Sequence, residues 1–238
     1  MAIVETGESV ADRKKRAGRI LAALRKTYGE VTCALHHDSA LDLLIATILS
    51  AQSTDETVNK VTPGLFKKYG SAHAFAQADP RVLEREVHST GFFRQKTKSI
   101  QGACRIIVDC HAGDVPDTME SLVQLPGVAR KTANVVLGTW FGRNEGIAVD
   151  THVGRLAERL GLTWRGRNAK DAVKIETDLR ELLSRRNWTY FSHAMIHHGR
   201  RVCSARKPKC DDCSLAKWCP SAGAFDLESP VGKRGRAS

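Results

Sequence analysis

The chain has 238 residues, 42% of them hydrophobic, and 37 Lys and Arg against 26 Asp and Glu give a formal net charge of +11. That length is enough for one large domain or two modest ones, each with its own core. The charge favours a polyanionic partner, nucleic acid first, although basic residues spread evenly for solubility would give the same total. No apolar run approaches the roughly 18 residues that a membrane span needs, since the best stretch, residues 41–49, is broken by Asp42 and Thr47.

Glu5, Glu8 and Asp12 lie near the N-terminus with no hydrophobic segment of the signal-peptide kind, so a cytosolic, reducing compartment is expected. There, seven cysteines are metal ligands or buried apolar residues rather than disulfide partners. Residues 1–11 show no usable periodicity and are expected to form a mobile tail. Helix signals begin with Asp12, and over residues 13–28 Ala17, Ile20, Leu21 and Leu24 recur at helical spacing with basic residues between them. A second helix is expected over residues 40–50, capped by Asp38 or Ser39, with Leu41, Leu44, Ile45, Ile48 and Leu49 covering more than one face.

Small polar residues from Ser50 to Asp55 then interrupt the apolar pattern before a helix over residues 54–68. Gln52 in that seam is either a connector or a ligand-facing residue. Short helices follow over residues 72–77 and 81–88, with Pro80 at a helix start. Phe92 and Phe93 sit in a Gly91 turn, where large rings either plug a core or, in a basic protein, wedge into a base stack. Ile100, Ala103, Ile106 and Ile107 mark a helix over residues 95–110.

Asp117 or Thr118 caps a short helix that leads into Leu125-Pro126-Gly127-Val128-Ala129-Arg130-Lys131. Pro126 fixes φ and Gly127 permits a backbone closed to other residues, so one helix turns sharply into the next, which is expected to begin at about Val128. Its first amides and the positive end of its dipole suit a phosphate oxygen, and Arg130 and Lys131 add charge. Val128, Thr132, Val135 and Val136 are expected inward, with Lys131, Asn134 and Gly138 on other faces. Helices over residues 151–160, 169–184 and 188–201 complete an all-α pattern, and the tail from Ala222 onward reads as disordered.

Cys203, Cys210, Cys213 and Cys219 are separated by six, two and five residues. Four thiolates in one short loop are made for metal. Structural zinc usually takes two close Cys pairs and only one occurs here, whereas an iron-sulfur cluster tolerates uneven spacing, so a cluster is favoured over zinc. Cys33, Cys104 and Cys110 are scattered and read as buried thiols. Basic residues around the loop, among them Arg200, Arg206 and Lys209, form a patch suited to a DNA backbone.

The Leu-Pro-Gly-Val hairpin with Lys131, Val149-Asp150-Thr151-His152 with its aspartate nineteen residues after Lys131, and the terminal cysteine pattern together resemble the endonuclease III family over about residues 15–220. The resemblance implies two helical domains. One is a helix-hairpin-helix bundle over residues 34–144; the other is a cluster domain from residues 12–33 and 145–221, with the active site in the cleft between them. It further implies that Lys131 and Asp150 are catalytic and that Cys203, Cys210, Cys213 and Cys219 hold a 4Fe-4S cluster. Gly127, Ala129 and Arg130 would contact DNA at the hairpin, and Gln52, Phe92 and His152 would enter the gap left by an extruded nucleotide. Phe92 departs from the family's more usual aliphatic wedge. Ala129 stands where the family usually has Gly, and if that position needs positive φ the substitution costs roughly 1 kcal/mol.

The activity implied is a bifunctional DNA glycosylase and abasic-site lyase of base-excision repair, acting as a monomer at the nucleoid on double-stranded DNA with an oxidised pyrimidine or an abasic site. Two other readings compete. A monofunctional relative shares the hairpin, the aspartate and the cluster but normally lacks the lysine. A non-catalytic DNA-binding protein would leave Lys131 as a phosphate contact and Asp150 as a helix cap.

Overall fold

The computed structural model describes residues 7–166 and 171–224. The first six residues of the expected tail, the start of the helix expected from Ala169 and the basic run near Lys233 lie outside the described residues. Among the described residues the structure is helical with no strand, and no helix is long and apolar enough to cross a membrane. The chain divides into two compact units, one comprising Val31–Ala148 with Ser184–His193, the other comprising Met1–Glu30, Val149–Leu183 and Ala194–Ser238.

Side-chain caps fix most helix starts. Ser9 opens α1 (Val10–Tyr28) by accepting from the amide of Asp12, so this helix begins inside the stretch expected to be a tail. Asp12, expected to start the helix, lies in its first turn. Ser39 caps α2 (Ala40–Leu49), whose residues from Leu43 to Leu49 are all buried, as a helix apolar on several faces must be. Thr54, Ser71 and Asp79 cap α3 (Asp55–Lys68), α4 (Ala72–Gln77) and α5 (Pro80–Val87), the last with Pro80 at its first position.

A 3₁₀ turn, His88–Thr90, leads into α6 (Phe93–His111), and α4 and α5 pack along it. Thr118 caps α7 (Met119–Leu122), and the Pro-Gly turn delivers the chain into α8 (Arg130–Thr139), which packs on α2. Phe75, Leu44, Leu83, Ile100, Ile107, Leu122 and Val136 are fully buried in the core of this unit. Asn134 is buried as well, at 4% exposure, and does not share the open face of α8 with Lys131 as its spacing suggested.

The Pro-Gly turn sits directly on α6. Gly127 has φ +80°, and a Cβ there would lie 2.7 Å from Cβ of Ser99. A Cβ on Gly102, one turn further along α6, would lie 3.0 Å from Cγ of Pro126. Two small residues on α6 thus admit the turn, while Leu125 and Val128 anchor it in the core. A glycine inside a helix costs about 1 kcal/mol relative to alanine, and at Gly102 the closeness of Pro126 is the reason to accept that cost.

In the other unit, α9 (Thr151–Arg159) and α10 (Ala172–Leu182) join α1. The first residues of α11 (Trp188–Arg201) belong to the hairpin unit, and from Ala194 onward it belongs to this one. Arg16 of α1 donates to Glu8 and to the carbonyls of Leu160, Gly161 and Trp218, tying the N-terminal helix to both later segments. Buried Asp178 accepts from the hydroxyl of Thr163 and the amides of Trp164 and Arg165, organising the chain between α9 and α10.

Gly127→Ala is expected to lower the free energy of unfolding by about 1–2 kcal/mol through the left-handed conformation alone, and further through Ser99. Adding Ser99→Gly recovers the steric part. Denaturant midpoints of the single and double variants check this, and a Gly127→Ala midpoint equal to that of the unaltered chain would contradict it.

Candidate active site and cluster cavity

Helix α8 begins at Arg130, two residues later than its sequence suggested, with Ala129 as its cap residue. Ala129 has φ −87°, so it does not need the left-handed conformation and carries none of the strain that its place in the hairpin raised. An alanine cap has consequences of its own. The residues preceding α1, α2, α3, α4, α5, α7 and α9 each accept a hydrogen bond from the helix they open, and Ala129 has no side chain that can. The amides of the first turn of α8 therefore have no side-chain acceptor at the cap position. Arg130 is half-buried on that turn, and Lys131 is exposed beside it.

Two other turns of the same unit present side chains outward. Gln52, just beyond α2, is exposed and has φ +53°. Phe92, the residue before α6, has φ +47° and is 65% exposed, which removes the core-plug reading. Its neighbour Phe93 supplies the anchor, with its ring 4.5 Å from that of His88. Left-handed conformations are uncommon outside glycine, and among the described residues only Ala112 shares one with Gln52 and Phe92.

In the second unit Asp150 caps α9. Its Oδ1 accepts from the amides of His152 and Val153, both at 2.8 Å. The helix holds one carboxylate oxygen, and Oδ2 makes neither of these two bonds. His152 is held below the usual histidine range by burial, with Arg155 and Arg200 pushing the same way and Asp150 opposing them. It is therefore a neutral ring near pH 7, able to donate or accept but not to act as a cation. Arg155 fixes it, with Nη2 placed 3.2 Å from Nδ1 of His152 and donating to the carbonyls of Gly199 and Cys203. A Cβ on Gly199 would lie 3.0 Å from Cβ of His152, so α11 approaches α9 closely at this residue.

Cys203, Cys210, Cys213 and Cys219 are half-buried and line one cavity with Arg159 and Val202. Among the described residues no three His, Cys, Asp or Glu side chains converge as ligands of a single metal ion do. Four cysteines lining one cavity suit an iron-sulfur cluster, which takes four thiolates at separated corners. Burial pushes the Cys219 thiol up to about 11 and raises that of Cys213, so thiolates here need a compensating charge or donors. Donors are present. Nη1 of Arg159 donates to Sγ of Cys203 at 3.1 Å, and the amide of Leu215 donates to Sγ of Cys213 at 3.4 Å.

His198 adds a third. Its Nε2 lies 3.3 Å from Sγ of Cys213 and its Nδ1 lies 2.6 Å from the hydroxyl of Tyr28. Burial pushes this ring down to about 4, and a neutral imidazole has one donor and one acceptor. With the Tyr28 hydroxyl donating to Nδ1, the Nε2–H faces the sulfur. Arg159, His198 and Tyr28 carry no signal along the chain, because they come from three different helices and share no spacing with the cysteines. Arg159→Met keeps the bulk of the side chain and removes its donors. The expected result is loss of the cluster at roughly a tenth to a hundredth of the chelator concentration needed otherwise, read from the visible absorbance.

A family model described as HhH-GPD superfamily base excision DNA repair protein matches residues 45–185. A second, the iron-sulfur binding domain of endonuclease III, matches residues 203–219, bounded by Cys203 and Cys219. Endonuclease III of Synechocystis sp. is 55% identical over 215 residues, 90% of this chain and 96% of that relative. Among solved structures, a non-covalent endonuclease III-DNA complex has a TM-score of 0.84 at 37% identity, covering 90% of this chain and 99% of that one. A trapped endonuclease III-DNA covalent intermediate has a TM-score of 0.82 at 38% identity, covering 88% and 96%. With the hairpin, the aspartate cap and the cysteine cavity all in place, the chain belongs to the endonuclease III family within the HhH-GPD superfamily of base excision DNA repair proteins.

Proposed function

We propose that this chain removes oxidised pyrimidines from double-stranded DNA and cleaves the strand at the resulting abasic site, with Lys131 as nucleophile and Asp150 as its partner in proton movement. The carrying observation is an exposed lysine in the first turn of α8, in a family that includes a covalently trapped protein-DNA intermediate. A base within a duplex is out of reach, so the nucleotide is first rotated out at a cost of a few kcal/mol, least for a damaged base. Gln52 and Phe92 fill the space it leaves, with His152 as a neutral contact. Gly127, Ala129 and the uncapped amides after them take a phosphate oxygen, and Arg130 adds charge beside it.

As the glycosidic bond breaks, the base departs with the bonding electron pair and takes up a proton, and the lysine amine adds to C1′. Opening of the sugar ring gives a Schiff base. Loss of a proton from C2′ then expels the 3′ phosphate, which is the strand break, and water releases Lys131. Asp150 acts through Oδ2, opposing the positive charge that develops on the sugar and shuttling the proton between Lys131 and the ring oxygen. The chain carries a 4Fe-4S cluster, and its chemistry as a resident group is to bind four thiolates and hold the loop between them. The residues that would hold it are Cys203, Cys210, Cys213 and Cys219, within a domain drawn from both chain ends, and the enzyme works as a monomer at the nucleoid.

Lys131→Ala is expected to abolish both borohydride trapping and strand cleavage on a duplex carrying thymine glycol. Asp150→Asn is expected to lower turnover by about a hundred- to ten-thousandfold while leaving thermal stability nearly unchanged, since asparagine caps a helix as well as aspartate does. Base release without trapping by the unaltered chain would establish the monofunctional reading. Binding without any reaction on thymine glycol or abasic duplexes would establish the non-catalytic one.

A further inference from the structure

Lys96 is a lysine that the reaction does not use, and only 4% of it is exposed. It lies in the first turn of α6, and its Nζ donates to the carbonyl of Leu49 and to the carbonyl of Thr90, each at 2.7 Å. Leu49 ends α2 and Thr90 ends the 3₁₀ turn, so both carbonyls belong to helix ends left without intrahelical donors. The Lys96 amide also donates to the carbonyl of Phe92 at 3.0 Å. One residue therefore holds three points of two separate turns.

Each of those turns carries an exposed residue with left-handed backbone. Gln52 follows Leu49 by three residues, and Phe92 follows Thr90 by two. Hydroxyls and amides are the ordinary means of closing helix ends, and burying an ammonium costs far more than either. What an ammonium adds is reach on a long stem and several donors at one point, enough to bind two turns to each other. Burial pushes the Lys96 ammonium below the usual lysine range, in keeping with that cost.

We infer that Lys96 is a positioning residue for nucleotide extrusion: its side chain fixes the Gln52 turn relative to the Phe92 turn, so that both side chains meet one base-pair gap as a preformed pair. The inference rests on the reading that Gln52 and Phe92 fill that gap. A preformed pair loses little conformational freedom on entering DNA, whereas two independent turns would each have to be ordered at the moment of extrusion.

The test compares an abasic site in a duplex with the same oligonucleotide single-stranded, where no stacked gap has to be filled. The full-length cluster-loaded protein is used as Lys96→Met, Lys96→Gln, Gln52→Ala and Phe92→Ala. Lys96→Met is expected to lower kcat/KM on the duplex by about ten- to a hundredfold and to leave the single-strand value within about twofold. Lys96→Gln, which keeps one amide donor, falls between Lys96→Met and the unaltered chain, and Gln52→Ala and Phe92→Ala lose activity on the duplex. Equal losses on both substrates, or failure of both Lys96 variants to fold, would assign Lys96 to the stability of the unit and overturn the inference. Normal duplex activity in Lys96→Met with Gln52→Ala and Phe92→Ala impaired would overturn it alone. Normal duplex activity in Gln52→Ala and Phe92→Ala would overturn the gap-filling reading beneath it.

Discussion

The seat of Gly127 against Ser99 is the constraint on which the rest of the hairpin unit depends. The turn must approach α6 to within the width of a missing Cβ, and it must do so at φ +80°, which only glycine adopts without strain. Pro126 over Gly102 fixes the entry to the turn, and Val128 in the core fixes its exit. The direction of α8 follows, and with it the exposed position of Lys131 and a first turn with no side-chain cap at Ala129. A small shift of the turn would move the Lys131 amine and the first turn of α8 together.

Charge and hydrogen bonding divide the work between the two units. The hairpin unit offers backbone amides, Arg130 and an exposed lysine, all suited to an anionic strand. The second unit offers a carboxylate whose Oδ1 is occupied by its own helix. Asp150 is both a structural cap and a candidate catalytic group, and the two roles fall on different oxygens. Asp150 as a cap is compatible with the proposed catalytic role, because the two amides of α9 engage Oδ1 alone.

Most helix starts were legible because Ser39, Thr54, Pro80 and Thr118 signal them chemically, and burial follows the apolar stripes of α1, α2 and α6. Boundaries shifted where the signal is not a side chain. Nothing in the residue types separates Val128 from Arg130 as the start of α8, since the turn continues through Ala129 in extended backbone. Ser9 caps α1, but it stands in a polar stretch whose lack of apolar periodicity hid the helix start. The motif residues announced themselves by spacing along the chain, whereas the residues that support them did not. Lys96 sits in Arg94-Gln95-Lys96-Thr97-Lys98 and reads as one more solvated cation, and Arg159 and His198 reach the cysteines from distant segments, with Tyr28 behind His198. Contacts between remote parts of a chain leave no periodic trace in it.

In the proposed mechanism the Lys131 amine becomes covalently bound to the sugar. The most direct measurement is peptide mapping of the borohydride-reduced complex formed on an abasic duplex, with the attached nucleotide fragment located by fragmentation mass spectrometry. That mechanism requires a single adduct on Lys131, within the peptide that spans the start of α8. An adduct on the N-terminal amine or on any other lysine, with Lys131 unmodified, would contradict it.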